Sequence, residues 1–253
     1  MAIRFEKRPG IVAYLTAGDP GLAETRDIAL AAMDNGADVI ELGVPFSDPL
    51  SDGPVIQRAS ERAVARGVRL VDVLALAKEL RAARPQAGLV IFSYLNPLLQ
   101  VGMKSFCERA ADAGVDGVLA TDMIVEEADE YLEHMHANRL APIFLAAPTS
   151  PDERLEKIAA VTQGFVYAIS RVGITGTQDK VAGDASELVA RLRKFTKLPV
   201  AVGFGISNAE HVRAVGQFAD AAVIGSALVA LIERTEAKDA AAVVGKFISG
   251  LRG

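Results

Sequence analysis

The chain has little of several things that would point to common chemistries. It has one cysteine, Cys107, which rules out an intrachain disulfide and the disulfide-framed secreted class. Three histidines, His134, His136 and His211, are few for a metal centre. Two of them stand two residues apart on an expected helix, where side chains do not share a face. No metal is expected. No uninterrupted apolar run approaches the ~18 residues of a membrane span, and the start, MAIRFEKRPG, lacks a signal-peptide core. Positive charge is also short, with 27 Lys and Arg against 32 Asp and Glu and a formal net charge of −5. Non-specific nucleic-acid binding depends on neutralising phosphates, and anionic membranes attract basic surfaces, so neither partner is expected. No linker-like or low-complexity tract divides the chain. These absences lead to the expectation of one soluble, cytoplasmic domain over residues 1–253.

What is present is a rhythm. Short β-rich runs begin at Ile11, Asp38, Leu89, Gly117, Pro142, Phe165, Pro199 and Ala221. Helical patterns fill the intervals: Met103, Phe106 and Ala110 share one helix face, as do Leu188, Leu192 and Phe195. Eight alternating units with hydrophobic strands predict a parallel sheet closed into a (β/α)8 TIM barrel. An open doubly wound sheet would be expected to carry a Gly-x-Gly-x-x-Gly turn after the first strand, and it is missing. Two intervals are longer than the others, after the second strand and after the sixth. They contain residues 45–54 and 171–184, which are expected to form active-site loops, the second a lid.

Glycine clusters follow the last three strands: Gly173-Ile174-Thr175-Gly176, Gly203-Phe204-Gly205 and Gly225-Ser226. Backbone N–H groups in such turns, with a helix starting at Ser226, suit a phosphate at the end of the barrel. Gly-x-x-x-x-Gly-Lys-Ser/Thr is absent, which disfavours a nucleoside triphosphatase.

The remaining chemistry lies in Glu41-Leu42-Gly43-Val44-Pro45-Phe46-Ser47-Asp48-Pro49-Leu50-Ser51-Asp52-Gly53-Pro54. Strand alternation puts Glu41 on one face with Val39 and Gly43. If that face points into the barrel, burial raises the Glu41 pKa into the range of a group that gives and takes a proton. Asp52, on the loop, arches back over the same mouth. Two carboxylates in different surroundings divide acid and base roles.

This motif, continued by Ile56-Gln57, resembles that of the tryptophan synthase alpha-subunit family. Supporting matches are Thr16-Ala17-Gly18-Asp19-Pro20, Tyr94-Leu95-Asn96-Pro97, Ser170-Arg171-Val172-Gly173-Ile174-Thr175-Gly176 and Gly203-Phe204-Gly205-Ile206-Ser207. The resemblance implies retro-aldol cleavage of indole-3-glycerol phosphate to indole and glyceraldehyde 3-phosphate. It puts the general acid/base at Glu41 and the indole N–H partner at Asp52. It puts phosphate at Gly176, Gly205, Gly225 and Ser226, a lid contact at Thr175, and the indole slot among Tyr14, Tyr94, Leu119 and Phe204. It also implies a beta-subunit partner in an alpha2beta2 heterotetramer. No cofactor is expected on this chain, pyridoxal phosphate belonging to the partner. After Asp122 the family usually has a proline-rich turn, where this chain reads Met123-Ile124-Val125-Glu126-Glu127.

Two rivals stand beside this reading. Another phosphate-binding barrel, such as an indole-glycerol-phosphate synthase, would be expected to carry a lysine at a strand end, and none is seen. A non-catalytic activating subunit would not need both Glu41 and Asp52.

Overall fold

The computed structural model describes residues 3–5, 7–169, 178–203 and 205–252. Nine parallel strands occur among them: β1 (Gly10–Thr16), β2 (Val39–Gly43), β3 (Gly88–Ser93), β4 (Gly117–Ala120), β5 (Ala141–Ile143), β6 (Leu145–Ala146), β7 (Val166–Ile169), β8 (Val200–Gly203) and β9 (Ala221–Ile224). The hydrogen-bonded order is β5-β4-β3-β2-β1-β9-β8-β7-β6. β5 and β6 are two pieces of one barrel strand, separated only at Phe144. The first piece bonds β4 and the second bonds β7, which closes the barrel. The expected eight strands are therefore all present, the fifth one interrupted.

Alternation along each strand builds two apolar layers. Val12, Val39, Val90, Leu119 and Tyr167 fill the interior. Their neighbours Ile11, Ile40, Leu42, Leu89 and Ile91 pack outward against the helices. Every residue of β1 and β2 is buried, which is why these strands read as continuous apolar runs.

Among the described residues, seven helices return the chain to the next strand: α1 (Leu22–Asp34), α3 (Leu70–Ala83), α5 (Met103–Asp112), α6 (Asp129–Ala137), α7 (Asp152–Val161), α8 (Gln178–Leu192) and α9 (Ala209–Gly216), while α11 (Ala240–Leu251) follows the last strand. Three more are inserted: α2 (Pro54–Ala65), α4 (Leu95–Val101) and α10 (Ser226–Glu233). Met103, Phe106 and Ala110 are buried as their spacing predicts. Phe195 lies just past the end of α8 but still packs on the core. Part of the expected 171–184 loop is helix, because α8 begins at Gln178; residues 171–177 lie outside the described residues.

A repeated device seals the amino end of the barrel. Asp38, Asp116 and Asp220 stand immediately before β2, β4 and β9. Their carboxylates accept the neighbouring-strand N–H groups of Ile11 (2.7 Å), Leu89 (2.9 Å) and Val200 (2.8 Å). Each also holds a guanidinium, from Arg252 at 2.6 Å, Arg81 at 2.5 Å and Arg193 respectively. This end serves stability and leaves the opposite end for chemistry.

Candidate active site at the carboxyl end of the barrel

Glu41 lies in β2, opposite Tyr14 of β1 and Val90 of β3. Its side chain is fully buried, and neither carboxylate oxygen has a hydrogen-bond partner among the described residues. Removal from water disfavours the charged form, so burial pushes the Glu41 carboxyl up to about 8. A buried polar atom without a partner costs free energy that a plain core residue would not, which makes Glu41 a candidate for the chemistry of the site.

Two residues further along β2 the chain needs glycine. A Cβ on Gly43 would collide with the Tyr14 hydroxyl, so the phenol ring occupies the space that any other side chain would fill. Tyr14 is buried and packs edge-on against Phe92, with ring centroids 5.0 Å apart. Burial, with the charge of Asp52 and then of Glu41, pushes the Tyr14 phenol far above its ordinary value. Tyr167, across the barrel, is raised likewise, by burial first and by Glu41 next. Both phenols therefore stay neutral, and both sense the charges of Glu41 and Asp52.

Asp52 is brought to this mouth by the irregular loop between β2 and α2. Pro54 opens α2, where a missing N–H costs nothing. The Gln57 side-chain amide donates to the backbone carbonyl of Asp52 at 2.9 Å, so the first turn of the helix grips the loop. The Tyr94 hydroxyl donates to Asp52 Oδ2 at 3.1 Å and accepts the N–H of Ser51 at 2.9 Å. Burial pushes the Asp52 carboxyl up to about 6, opposed by the Tyr94 hydrogen bond. The Tyr94 phenol rises to about 12, chiefly by burial.

Leu119 is fully buried in the barrel interior, beside Phe92 in register. At the far side of the mouth, Gly225 caps α10 and Ser226 is its exposed first residue. A Cβ on Gly225 would come within 3.9 Å of the Tyr14 Cβ and 4.0 Å of Ile56 Cδ1, so the start of α10 lies beside the strand that carries Tyr14. Gly205 has a positive φ of 41° and, among the described residues, nothing within 4 Å of its Cβ position, at the turn that follows β8. Thr175, Gly176 and Phe204 lie outside the described residues.

The structure thus brings together Glu41, Asp52, Tyr14, Tyr94 and Leu119, with Gly225 and Ser226 beside them. It also adds residues that the sequence does not assign. Phe92 packs against Tyr14, Tyr167 senses the Glu41 charge, and Gln57 holds the loop. The signal for Phe92 is its parity with Val90 on β3, the same alternation that singles out Glu41.

Known proteins share this arrangement of the chain. The family described as "Tryptophan synthase alpha chain" matches residues 1–249. A relative of that name from Burkholderia lata is 46% identical over 251 residues, 99% of this chain and 93% of the relative. A mutant tryptophan synthase alpha-subunit from Pyrococcus furiosus superposes with a TM-score of 0.89 at 37% identity, covering 98% of this chain and 99% of that one. A chain of the tryptophan synthase complex from the same organism gives a TM-score of 0.88 with the same identity and coverage. With the carboxylates, the aromatic cluster and the matches in agreement, the chain belongs to the tryptophan synthase alpha chain family.

Proposed function

We propose that Glu41 and Asp52 divide the proton and charge work of the alpha reaction. That reaction is the cleavage of indole-3-glycerol phosphate to indole and glyceraldehyde 3-phosphate, and family membership makes this chain a carbon–carbon lyase of tryptophan biosynthesis. It also removes the two rivals, a different phosphate-binding barrel and a non-catalytic subunit.

The single observation that carries the assignment is the buried Glu41 carboxyl, without a hydrogen-bond partner among the described residues and with its pKa raised to about 8. Near neutrality such a group is protonated and still gives up its proton readily. It donates that proton to indole C3, leaving positive charge on the ring nitrogen. Asp52, ionised, accepts the indole N–H and offsets that charge. The carboxylate left at Glu41 then takes the proton from the side-chain hydroxyl. The bond from C3 to the hydroxyl-bearing carbon breaks, its electron pair returns to the ring, and the carbon becomes the aldehyde. The proton balance closes on Glu41 itself. Tyr14, Phe92 and Leu119 hold the indole ring, while the backbone near Gly205, Gly225 and Ser226 receives the phosphate. Gly176, in the Gly-rich stretch after β7, is read as a further backbone donor to the phosphate, Thr175 beside it as the lid contact, and Phe204 as a further wall of the indole slot.

The partner is a tryptophan synthase beta subunit, the other component of the complexes formed by relatives of this chain. Among the described residues no helix is long and apolar enough to cross a membrane. We place the enzyme in the cytoplasm on its biosynthetic role. Purified chain given indole-3-glycerol phosphate should release indole and glyceraldehyde 3-phosphate in equal amounts without added cofactor. No indole release with saturating substrate would contradict the assignment.

A further inference from the structure

The motif Thr16-Ala17-Gly18-Asp19-Pro20 and the carboxyl ends of the inserted helices α2 and α10 have no part in the chemistry above, yet one ion network joins all three. Arg62, in α2, makes a two-point contact with Asp19, Nε to Oδ1 at 2.9 Å and Nη2 to Oδ2 at 2.6 Å. Its third nitrogen, Nη1, donates to Glu233 Oε1 at 2.8 Å. Arg58, one turn earlier, grips both oxygens of Glu233 at 2.9 and 2.8 Å. Asp19 is buried, with its side chain 4% exposed, and Arg66 adds a longer contact at 3.7 Å.

Glu233 is the last residue of α10, and Ser226 is its first. The other ends of the two inserted helices also meet, because Ile56 in the first turn of α2 packs beside Gly225. Between the ends, Ala59 and Val229 are buried with Tyr14 in one apolar cluster. The two helices therefore lie side by side and run in the same direction, with their amino ends at the site. One amino end follows Asp52 directly; the other is the proposed phosphate cradle. The network locks their carboxyl ends to each other and to the loop after β1, the strand that carries Tyr14. Carboxylate–guanidinium pairs with two-point geometry fix orientation as well as distance.

We propose that Arg62, held by Asp19 and Glu233, is a positioning residue that sets the spacing between the indole end and the phosphate end of the site. The inference rests on the active-site assignment made above. A substrate that must touch both ends gains from their fixed separation, because binding at one end delivers the other at high effective concentration. A ligand that touches one end gains nothing from it. The consequence is selective: loosening the network weakens two-ended ligands and spares one-ended ones.

The test measures the affinity of the purified chain for three probes by calorimetry or NMR: indole, inorganic phosphate, and an unreactive indole-alkyl phosphate spanning both ends. Indole release from the true substrate is followed in parallel. Arg62→Gln is expected to weaken the spanning probe tenfold or more and to raise KM similarly. Affinity for indole alone and for phosphate alone should stay within about twofold. Arg62→Lys, which keeps the charge but loses the two-point grip, should fall between. Glu233→Gln should reproduce the selective loss while leaving the Arg62–Asp19 contact intact, and serves if Arg62→Gln does not fold. Unchanged affinity for the spanning probe in both variants would overturn the proposal. So would an equal loss for all three probes, the mark of general damage. Absence of indole release by the wild-type chain is a separate outcome and would strike the active-site assignment instead.

Discussion

The Tyr94 hydroxyl bridges Asp52 and the loop that carries it, accepting the Ser51 N–H at 2.9 Å and donating to Asp52 Oδ2 at 3.1 Å. The donated bond favours ionised Asp52 and opposes the effect of burial. Tyr94→Phe removes both contacts while keeping the ring. The acid limb of the kcat/KM profile should move to higher pH, and the rate at neutral pH should fall about tenfold, as expected for ~1–2 kcal/mol lost from a charge-assisted hydrogen bond. A pH series with the purified variant measures both.

On the proposed mechanism, the wild-type pH profile follows from two carboxyls needed in opposite states. Asp52 must be ionised, and its pKa is raised to about 6, so activity falls as pH drops through that value. Glu41 must start protonated, and its pKa is raised to about 8, so activity falls as pH rises through that value. The kcat/KM curve of the isolated chain should be a bell with its maximum between the two. Asp52→Asn should keep the alkaline limb and lose the acid one, at a much lower overall rate.

The amino end of the barrel should affect stability and not chemistry. Arg81 donates to Asp116 and to the carbonyls of Gly114, Pro85 and Ala87. Arg81→Ala takes the guanidinium from a buried carboxylate and should cost about 3 kcal/mol in urea unfolding. KM for indole-3-glycerol phosphate in native buffer should remain within about twofold.

The loop after β4 separates two neighbours that look alike in sequence. Ile124 is 41% exposed, whereas Met123 is partly buried against the core. Leu95 N–H donates to Asp122 Oδ1 at 2.7 Å, which ties this loop to the one after β3 at the same end of the barrel. Ile124→Asp should weaken titration with a cognate beta subunit at least tenfold and leave indole release by the isolated chain unchanged. Met123→Asp should instead lower the thermal midpoint of the isolated chain.

Much of this architecture is legible in residue order. Strand alternation places Glu41 with Val39 and Gly43, and the barrel interior carries it there. The long interval after β2 marks the Asp52 loop, and Gly225-Ser226 marks the start of α10. What escapes are contacts between elements distant in the chain. The ion network joins Asp19, Arg62 and Glu233 across most of the sequence, and pattern within any one segment is blind to it. Phe92 and Tyr167 read as ordinary core because residue order does not show their neighbours across the barrel. The break at Phe144 also has no local signal, since it arises where the barrel closes. The second half of the 171–184 stretch reads as loop for its Gly and Thr content, and helix α8 begins inside it at Gln178.

The central claim is that one buried carboxyl, Glu41, moves the protons of bond cleavage. The most direct measurement is indole release by Glu41→Gln in a single turnover, with substrate binding determined on the same preparation. The amide fills the same space and cannot supply a proton. The rate should fall at least ~10²–10⁴-fold with affinity for indole-3-glycerol phosphate nearly unchanged. A folded Glu41→Gln chain that turns over within tenfold of wild type would contradict it.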